Sequence, residues 1–344
     1  MKKKFGMVIG NPPYNEETAD TSDKPVYNIL MEAAHKVAEQ TVLITPARFL
    51  FNAGKTPDAF NRRILNDPHF KVLDYAPDAR KYFKGVDIEG GVAVTLYDET
   101  KNFEPVGTFI PFDELKTIHQ KVVVDNPDFQ PLNDIMFQQN KWNLDKLFED
   151  HPEYKSKIGS GGTERRLTTG IFSAIDLFRE HEQDGDVKIL GLIKNRRVYR
   201  YIEEKYIDTR HENLRKFKVF VPNANGASGK LNNAEPARII STPVVGETLV
   251  GCTQTFITVG AFDTRDEADA CLAYIKSKFA RVMLGILKVT QDNTAPTWAK
   301  VPLQDFSSDS DIDWHGDIDA QLYRKYGLTA EEINFIETHV KPMT

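Results

Sequence analysis

The residues best suited to chemistry stand almost at the amino terminus, in the stretch FGMVIGNPPYNEE at 5–17. An exocyclic aromatic amine is a poor nucleophile because its lone pair is delocalised into the ring. Two hydrogen-bond acceptors aimed at its two hydrogens draw the nitrogen toward tetrahedral geometry and localise the lone pair. The side-chain oxygen of Asn11 can supply one acceptor and the carbonyl of Pro12 the other. Pro12 and Pro13 stiffen the loop, so both acceptors are set before a substrate arrives. An amide suits this task better than a strong base, because the amine need not lose its proton first. Tyr14 offers a flat face on which a base can stack, and stacking offsets part of the cost of taking that base out of a duplex. The plainer alternative is a Pro-Pro turn closing a strand, with Tyr14 merely packed.

The flanking segments supply what such a loop needs. Residues 5–10 read as a buried strand. Residues 24–39 read as a helix with Val26, Ile29, Leu30, Ala33 and Val37 on one face and Pro25 in its first turn. Strands are expected at 41–45, 70–75 and 90–99, the last opening on a Gly pair, with a short helix at 57–67. Strand, helix, strand, helix, strand is the rhythm of an α/β layer with a parallel sheet, about half of a doubly wound domain. After about residue 105 the pattern turns to mixed α+β. Helices are expected at 112–125 and 132–150 and short strands at 187–193, 197–202, 216–221, 237–241 and 253–259. One long helix is expected over 264–289, and then two short ones, with Thr329 as the N-cap of the second. Three regions follow: 1–105, 106–300 and 301–344.

Composition sets limits. The 344 residues hold 44 Lys and Arg against 50 Asp and Glu, a net charge of −6, so nucleic-acid binding would have to be local. The two cysteines, Cys252 and Cys271, form no CxxC pair; this fits a reducing cytoplasm and gives no zinc spacing. The best local patch is 188–218, with ten basic residues against four acidic ones and Tyr199, Tyr201 and Tyr206 interleaved. Lys194, Arg196, Arg197 and Arg200 are its candidates for phosphate contact. The following loop, NANGASGKLNN at 223–233, offers Asn223, Asn225 and Lys230, and Asn can pair bidentately with adenine. A solvated, salt-bridged face and an ordinary surface loop are the alternatives.

Several stretches together resemble the adenine-N6 DNA methyltransferases, in particular the combined, type IIG-like restriction–modification methylases. They are IGNPPYN, KPVYNILMEAAHKVAEQTVLITPARFL, KYFKGVDIEGGVAVTLYDE, TWAKVPLQDF and LYRKYGLTAEEINFIETHV. The resemblance implies a methyltransferase sheet followed by a target-recognition region. It implies that Asn11 and Pro12 contact the target adenine amine and that Tyr14 stacks on the base. Phe83 is then a second aromatic near the flipped base, or a core residue. It also implies S-adenosylmethionine as cofactor and double-stranded DNA as substrate. In that family a glycine-rich cofactor loop precedes the catalytic loop, and the ten residues before Asn11 contain none. The expectation is therefore the carboxy-terminal part of a methylase, binding the cofactor weakly by itself and completed by another segment, another subunit or a second copy. Two rivals stay open: a DNA-binding specificity module without catalysis, and a methylase acting on RNA or on protein glutamine.

Overall fold

A computed structural model describes residues 3–16, 24–158, 164–224, 231 and 235–343. The chain divides into two units, Met1–Thr117 with Ile286–Thr290, and Ile118–Gly285 with Gln291–Thr344.

In the first unit, β1 (Phe5–Gly10) ends where Pro12 and Pro13 remove the backbone N–H groups that a ladder requires. A two-residue pair, β2 (Asn15–Glu16) with β3 (Lys24–Pro25), leads into α1 (Tyr27–Val37). Then come β4 (Ala38–Pro46), a 3-10 turn (Arg48–Phe51), α2 (Asp58–Leu65), β5 (Phe70–Ala76) and β6 (Val92–Asp98). The sheet order is β1-β4-β6-β5. Only β1 and β4 pair in parallel; β6 lies between β4 and β5, antiparallel to both. This departs from the all-parallel rhythm read from the sequence. The cause is local. Residues 77–91 leave and re-enter the sheet at the same end, since Ala76 pairs with Val92. They form no crossover helix, and a strand that returns at the same end must run antiparallel.

The core lies on one face of this sheet. Tyr27 and Met31 of α1 and Phe60 and Ile64 of α2 pack with Leu43, Phe49 and Phe70. Phe49 sits at the centre, with its ring 5.9–6.2 Å from those of Tyr27, Phe60 and Phe70. The helical period of α1 supports two apolar stripes. The one that turns inward carries Tyr27, Met31 and Ala34, which fill the space around Phe49. Of the expected inner face, Ile29, Leu30 and Ala33 are exposed instead, and Pro25 belongs to β3.

The opposite face of the sheet is bare over much of its area. Phe5, Met7 and Ile9 alternate along β1 and are 54%, 49% and 72% exposed; Leu73 of β5 is 49% exposed. Beside them Val42, Val94 and Leu96 are half-buried. The strand expected at 5–10 is present, and it is an uncovered edge of the sheet, not a buried strand.

The second unit holds two sheets. One has the order β11-β10-β13-β7, from β7 (Met136–Phe137), β10 (Phe217–Pro222), β11 (Val244–Gly246) and β13 (Phe256–Phe262). The other has the order β12-β8-β9, from β8 (Asp186–Ile193), β9 (Arg196–Glu203) and β12 (Val250–Cys252). The helix expected at 132–150 is only a 3-10 turn (Leu132–Ile135) and a short helix (Leu144–Asp150), with β7 between them. No strand forms at 237–241, where Ile239 takes a left-handed φ of 68° that ends any extended run. The single helix expected at 264–289 is two, Arg265–Lys276 and Lys278–Leu284. Ser277 adopts ψ 150° between them, and its hydroxyl accepts a hydrogen bond from the Ala280 N–H, capping the second. Thr329 caps Ala330–His339 in a reciprocal box with Glu332. Lys218 is fully buried, and its ammonium donates to the carbonyls of Leu214, Glu247 and Val250 at 3.3, 2.9 and 2.9 Å. It thereby ties β10 of one sheet to β12 of the other.

Two outcomes are expected from this arrangement. An open apolar edge is a template for self-association. Ile9→Lys should lower the concentration-dependent association of the chain in sedimentation velocity; identical behaviour of the variant would show that the edge is not sticky. The second concerns His35, stacked on Tyr97 at 4.2 Å. Burial pulls its imidazole from 6.5 down to about 4; Lys3 and Arg63 push the same way and Asp67 opposes. Between those two values the unfolded chain takes up a proton that the folded chain refuses, so stability falls as pH drops through that window. His35→Phe, which keeps the stack, should flatten the fall in denaturant midpoint from pH 6.5 to 4. An unchanged slope would exclude His35 as its source.

Candidate functional site

Because β1 and β4 are parallel, the chain leaves both at the same end of the sheet. Ligands of open α/β sheets bind outside the carboxyl ends of the strands, and the Asn-Pro-Pro-Tyr loop stands there. Tyr14 and Asn15, from the exit of β1, and Pro46 and Arg48, from the exit of β4, line one cavity of about 380 Å³. Tyr27, Thr56 and Glu89 complete its wall.

The loop is fastened at its far side. The carbonyl of Tyr14 accepts a hydrogen bond from the N–H of Val26 at 3.0 Å. The Tyr14 ring is half-buried; its hydroxyl has no partner among the described residues, and burial raises its pKa, so it remains a neutral phenol. Asn11 is exposed, Pro12 half-buried and Pro13 exposed. The Asn11 amide makes no hydrogen bond to the described residues, which leaves its oxygen available as an acceptor.

Arg48 organises the rest of the wall. Its Nε donates to the Glu89 carbonyl at 2.6 Å and its Nη2 reaches the Glu89 carboxylate at 3.2 Å. The Tyr27 and Thr56 hydroxyls are 2.5 Å apart. Burial raises the Tyr27 pKa, while the Thr56 bond and the Arg48 charge pull it the other way. The Gly90-Gly91 pair makes this closeness possible. Both residues have left-handed φ, 84° and 76°. A Cβ on Gly90 would meet the Arg48 Cγ at 2.7 Å, and one on Gly91 would meet the Ala76 carbonyl oxygen at 2.2 Å. Phe83 does not line the cavity; it is half-buried against Ala76, Ala79 and Val92, beside Ile44 and Ile88.

The residues expected at DNA are divided. Lys194 lies in the β8–β9 turn with φ 49°. Strand alternation puts Arg196 and Arg200 on one face of β9 and Arg197 on the other. Arg200 pairs with Glu180 at 2.8 Å. Arg197 stands over the Phe256 ring at 5.6 Å and, with Asn223, lines a second cleft of about 490 Å³ in the second unit. Asn225 and Lys230 lie outside the described residues. Much of the remaining patch is neutralised. Lys205 pairs with Glu203 and Asp150, Arg210 with Asp208, Arg215 with Glu204 and Lys216 with Asp263. Sequence reading missed Arg48 and Thr56 at the cavity. Arg48 could have been found from its place directly after the second parallel strand.

Residues 1–83 match the family model of the Eco57I restriction-modification methylase. That match supports a restriction–modification methylase and a methyltransferase activity. It spans the Asn-Pro-Pro-Tyr loop, β4, Arg48 and the strand β5, and it ends at Phe83. The second unit lies outside it. No curated protein matches the chain. No helix among the described residues is long and apolar enough to cross a membrane.

The geometry of the Gly pair gives a stability test. Gly91→Ala should cost about 2 kcal/mol or more in a urea melt, from left-handed strain plus the clash with the Ala76 carbonyl. Gly85→Ala, also left-handed at φ 77° but with open space around it, should cost only the strain, about 1 kcal/mol. Equal losses would refute the close approach.

Proposed function

We propose that this chain carries out the base-handling part of adenine-N6 DNA methylation within a restriction–modification system. The observation that carries the reading is the convergence at one cavity. Tyr14, from the stretch whose chemistry suits an aromatic amine, and the turn after β4 meet there, outside the carboxyl ends of the two parallel strands. The match of residues 1–83 to the Eco57I methylase family supports it.

In this reading an adenine swung out of the duplex stacks on Tyr14. Its exocyclic amine donates one hydrogen bond to the Asn11 side-chain oxygen and one to the Pro12 carbonyl. Both acceptors sharpen their hold as the nitrogen becomes tetrahedral, so they stabilise the transition state more than the ground state. The neutral phenol of Tyr14 suits stacking on an uncharged base. Arg197 and Lys194 serve the duplex in the second unit, with Arg196, Arg200 and Asn223 as further contacts. Asn225 and Lys230 keep the role proposed for them from the sequence.

S-adenosylmethionine is the cofactor this reading implies, and it supplies the methyl group. The described residues around Asn11 do not form a holder for it. β1 is the last strand of its sheet, and among the described residues no further strand stands beyond it to carry a glycine-rich loop. Cofactor binding is assigned to whatever completes the sheet there. The exposed side chains of Phe5, Met7 and Ile9 fit such a completing element, whether a segment, a subunit or a second copy.

The test uses the full chain together with its completing element, duplex DNA and labelled cofactor. Wild type should yield N6-methyladenine on nuclease digestion and mass spectrometry. Asn11→Ala should lower the rate by at least about 10²-fold, the scale of losing one preorganised acceptor, with duplex affinity nearly unchanged. Full activity in Asn11→Ala, or label found in RNA or protein instead, would overturn the reading.

A further inference from the structure

The second cleft, about 490 Å³, is lined mainly by uncharged polar side chains. Among the described residues that line it there is no carboxylate and no lysine; amides and two guanidiniums dominate. Gln138, Gln139, Asn195, Asn223 and Gln254 bring five amide side chains to it, and Arg166 and Arg197 stand with them.

The fold uses some of these amides, with Gln254 Nε2 donating to the Thr169 hydroxyl at 3.2 Å and Asn223 Nδ2 to the Gln254 carbonyl at 3.3 Å, and leaves others open. Gln139 is only 5% exposed, lines the cleft, and its side chain makes no hydrogen bond to the described residues. A buried amide costs free energy unless something satisfies it. Gln139 lines this cleft and, with Gln138, also the space beside His211, so its amide is left for a partner from outside the fold. The side chains of Gln138, Asn195 and Arg166 are likewise without a hydrogen bond to the described residues. The Oδ1 of Asn223, at the same wall, is buried and has no partner among the described residues. Asn195 is held at the tip of the β8–β9 hairpin, where Lys194 and Asn195 both take left-handed φ, 49° and 59°. That is the backbone of a tight two-residue hairpin turn, at the tip of the β8–β9 pair, which runs on as two strands beyond its pairing with β12 at Leu190.

A carboxamide that presents donor and acceptor side by side matches the N6 and N7 edge of adenine, and a guanidinium matches O6 and N7 of guanine. A two-stranded ribbon fits the width of the major groove. We propose that this cleft and its hairpin tip form the sequence-reading surface of the protein for duplex DNA. Gln139 and Asn195 are its base-reading groups, and Arg166 and Arg197 anchor the neighbouring phosphates. The inference rests on the DNA reading above and goes beyond it by separating the residues that choose the sequence from those that only hold the duplex. The patch read from sequence contributes Arg197 to this surface, its guanidinium held by the Thr242 carbonyl but facing no carboxylate, while several of its other cations are paired with carboxylates.

The experiment is selection of preferred sequences from a random duplex pool by the whole chain, followed by titration of the preferred and a scrambled duplex at several salt concentrations. Two gentle variants remove the amides. Asn195→Gly keeps the left-handed turn, and Gln139→Met keeps the side-chain length; a melting curve on each verifies the fold. If Gln139→Met fails to fold, Asn195→Gly carries the test alone. Each amide variant should lose at least tenfold of the preference for the selected duplex, with the salt slope unchanged. Arg166→Ala and Arg197→Ala should weaken both duplexes alike and reduce the salt slope by about one unit each. Retained preference in the amide variants would overturn the cleft assignment and leave the methylase reading standing. A wild-type chain that binds no duplex at all would overturn both.

Discussion

Parallel pairing of β1 with β4 is the constraint on which the candidate site depends. A strand's direction decides at which end the chain leaves the sheet, and two parallel strands leave at the same one. Asn11 and Arg48 are 37 residues apart in the chain, yet the pairing of Ile9 with Val42 and Gly10 with Leu43 brings their exits together. The prolines then prevent the first exit from continuing the ladder, and Phe49 nails the second into the core. With either strand reversed, Tyr14 and Arg48 would stand at opposite ends of the sheet and no common cavity would exist.

The parts of this structure legible in the sequence are those governed by neighbours in the chain. The strand before Asn-Pro-Pro-Tyr, the helix at Asp58–Leu65 and the capping of Ala330–His339 by Thr329 all follow from local chemistry. The misreadings share a different origin. The inner stripe of α1 was decided by the shape of the space around Phe49, and periodicity alone offered two stripes of similar apolarity. The antiparallel entry of β6 follows from the connection over 77–91, which forms no crossover helix and returns at the end where it left, as the pairing of Ala76 with Val92 shows. The break at Ser277 was hidden because apolar residues continue on both sides of it.

The basic patch illustrates the same limit for charge. Counting signs between 188 and 218 gives a strong positive excess, but several of the neutralising carboxylates come from elsewhere, among them Asp150, Glu180 and Asp263. Lys218 is not at the surface at all. The amide cleft is the converse case. Its residues come from at least four separate segments, and only the consecutive amides of Gln138, Gln139 and Asn140 give any local sign of it. Readout surfaces of this kind are assembled by the fold, so composition windows are blind to them.

Lys218 carries a further consequence. Burial pushes its amine down to about 7, while its three carbonyl acceptors match the three N–H bonds of the charged form. Near neutral pH such a lysine holds more of the free amine than a solvated one does. The two sheets close over it completely. Acylation of Lys218 therefore waits for the strands to part, and its rate follows the opening of the second unit. Surface lysines, which react without delay, keep time beside it as the reference.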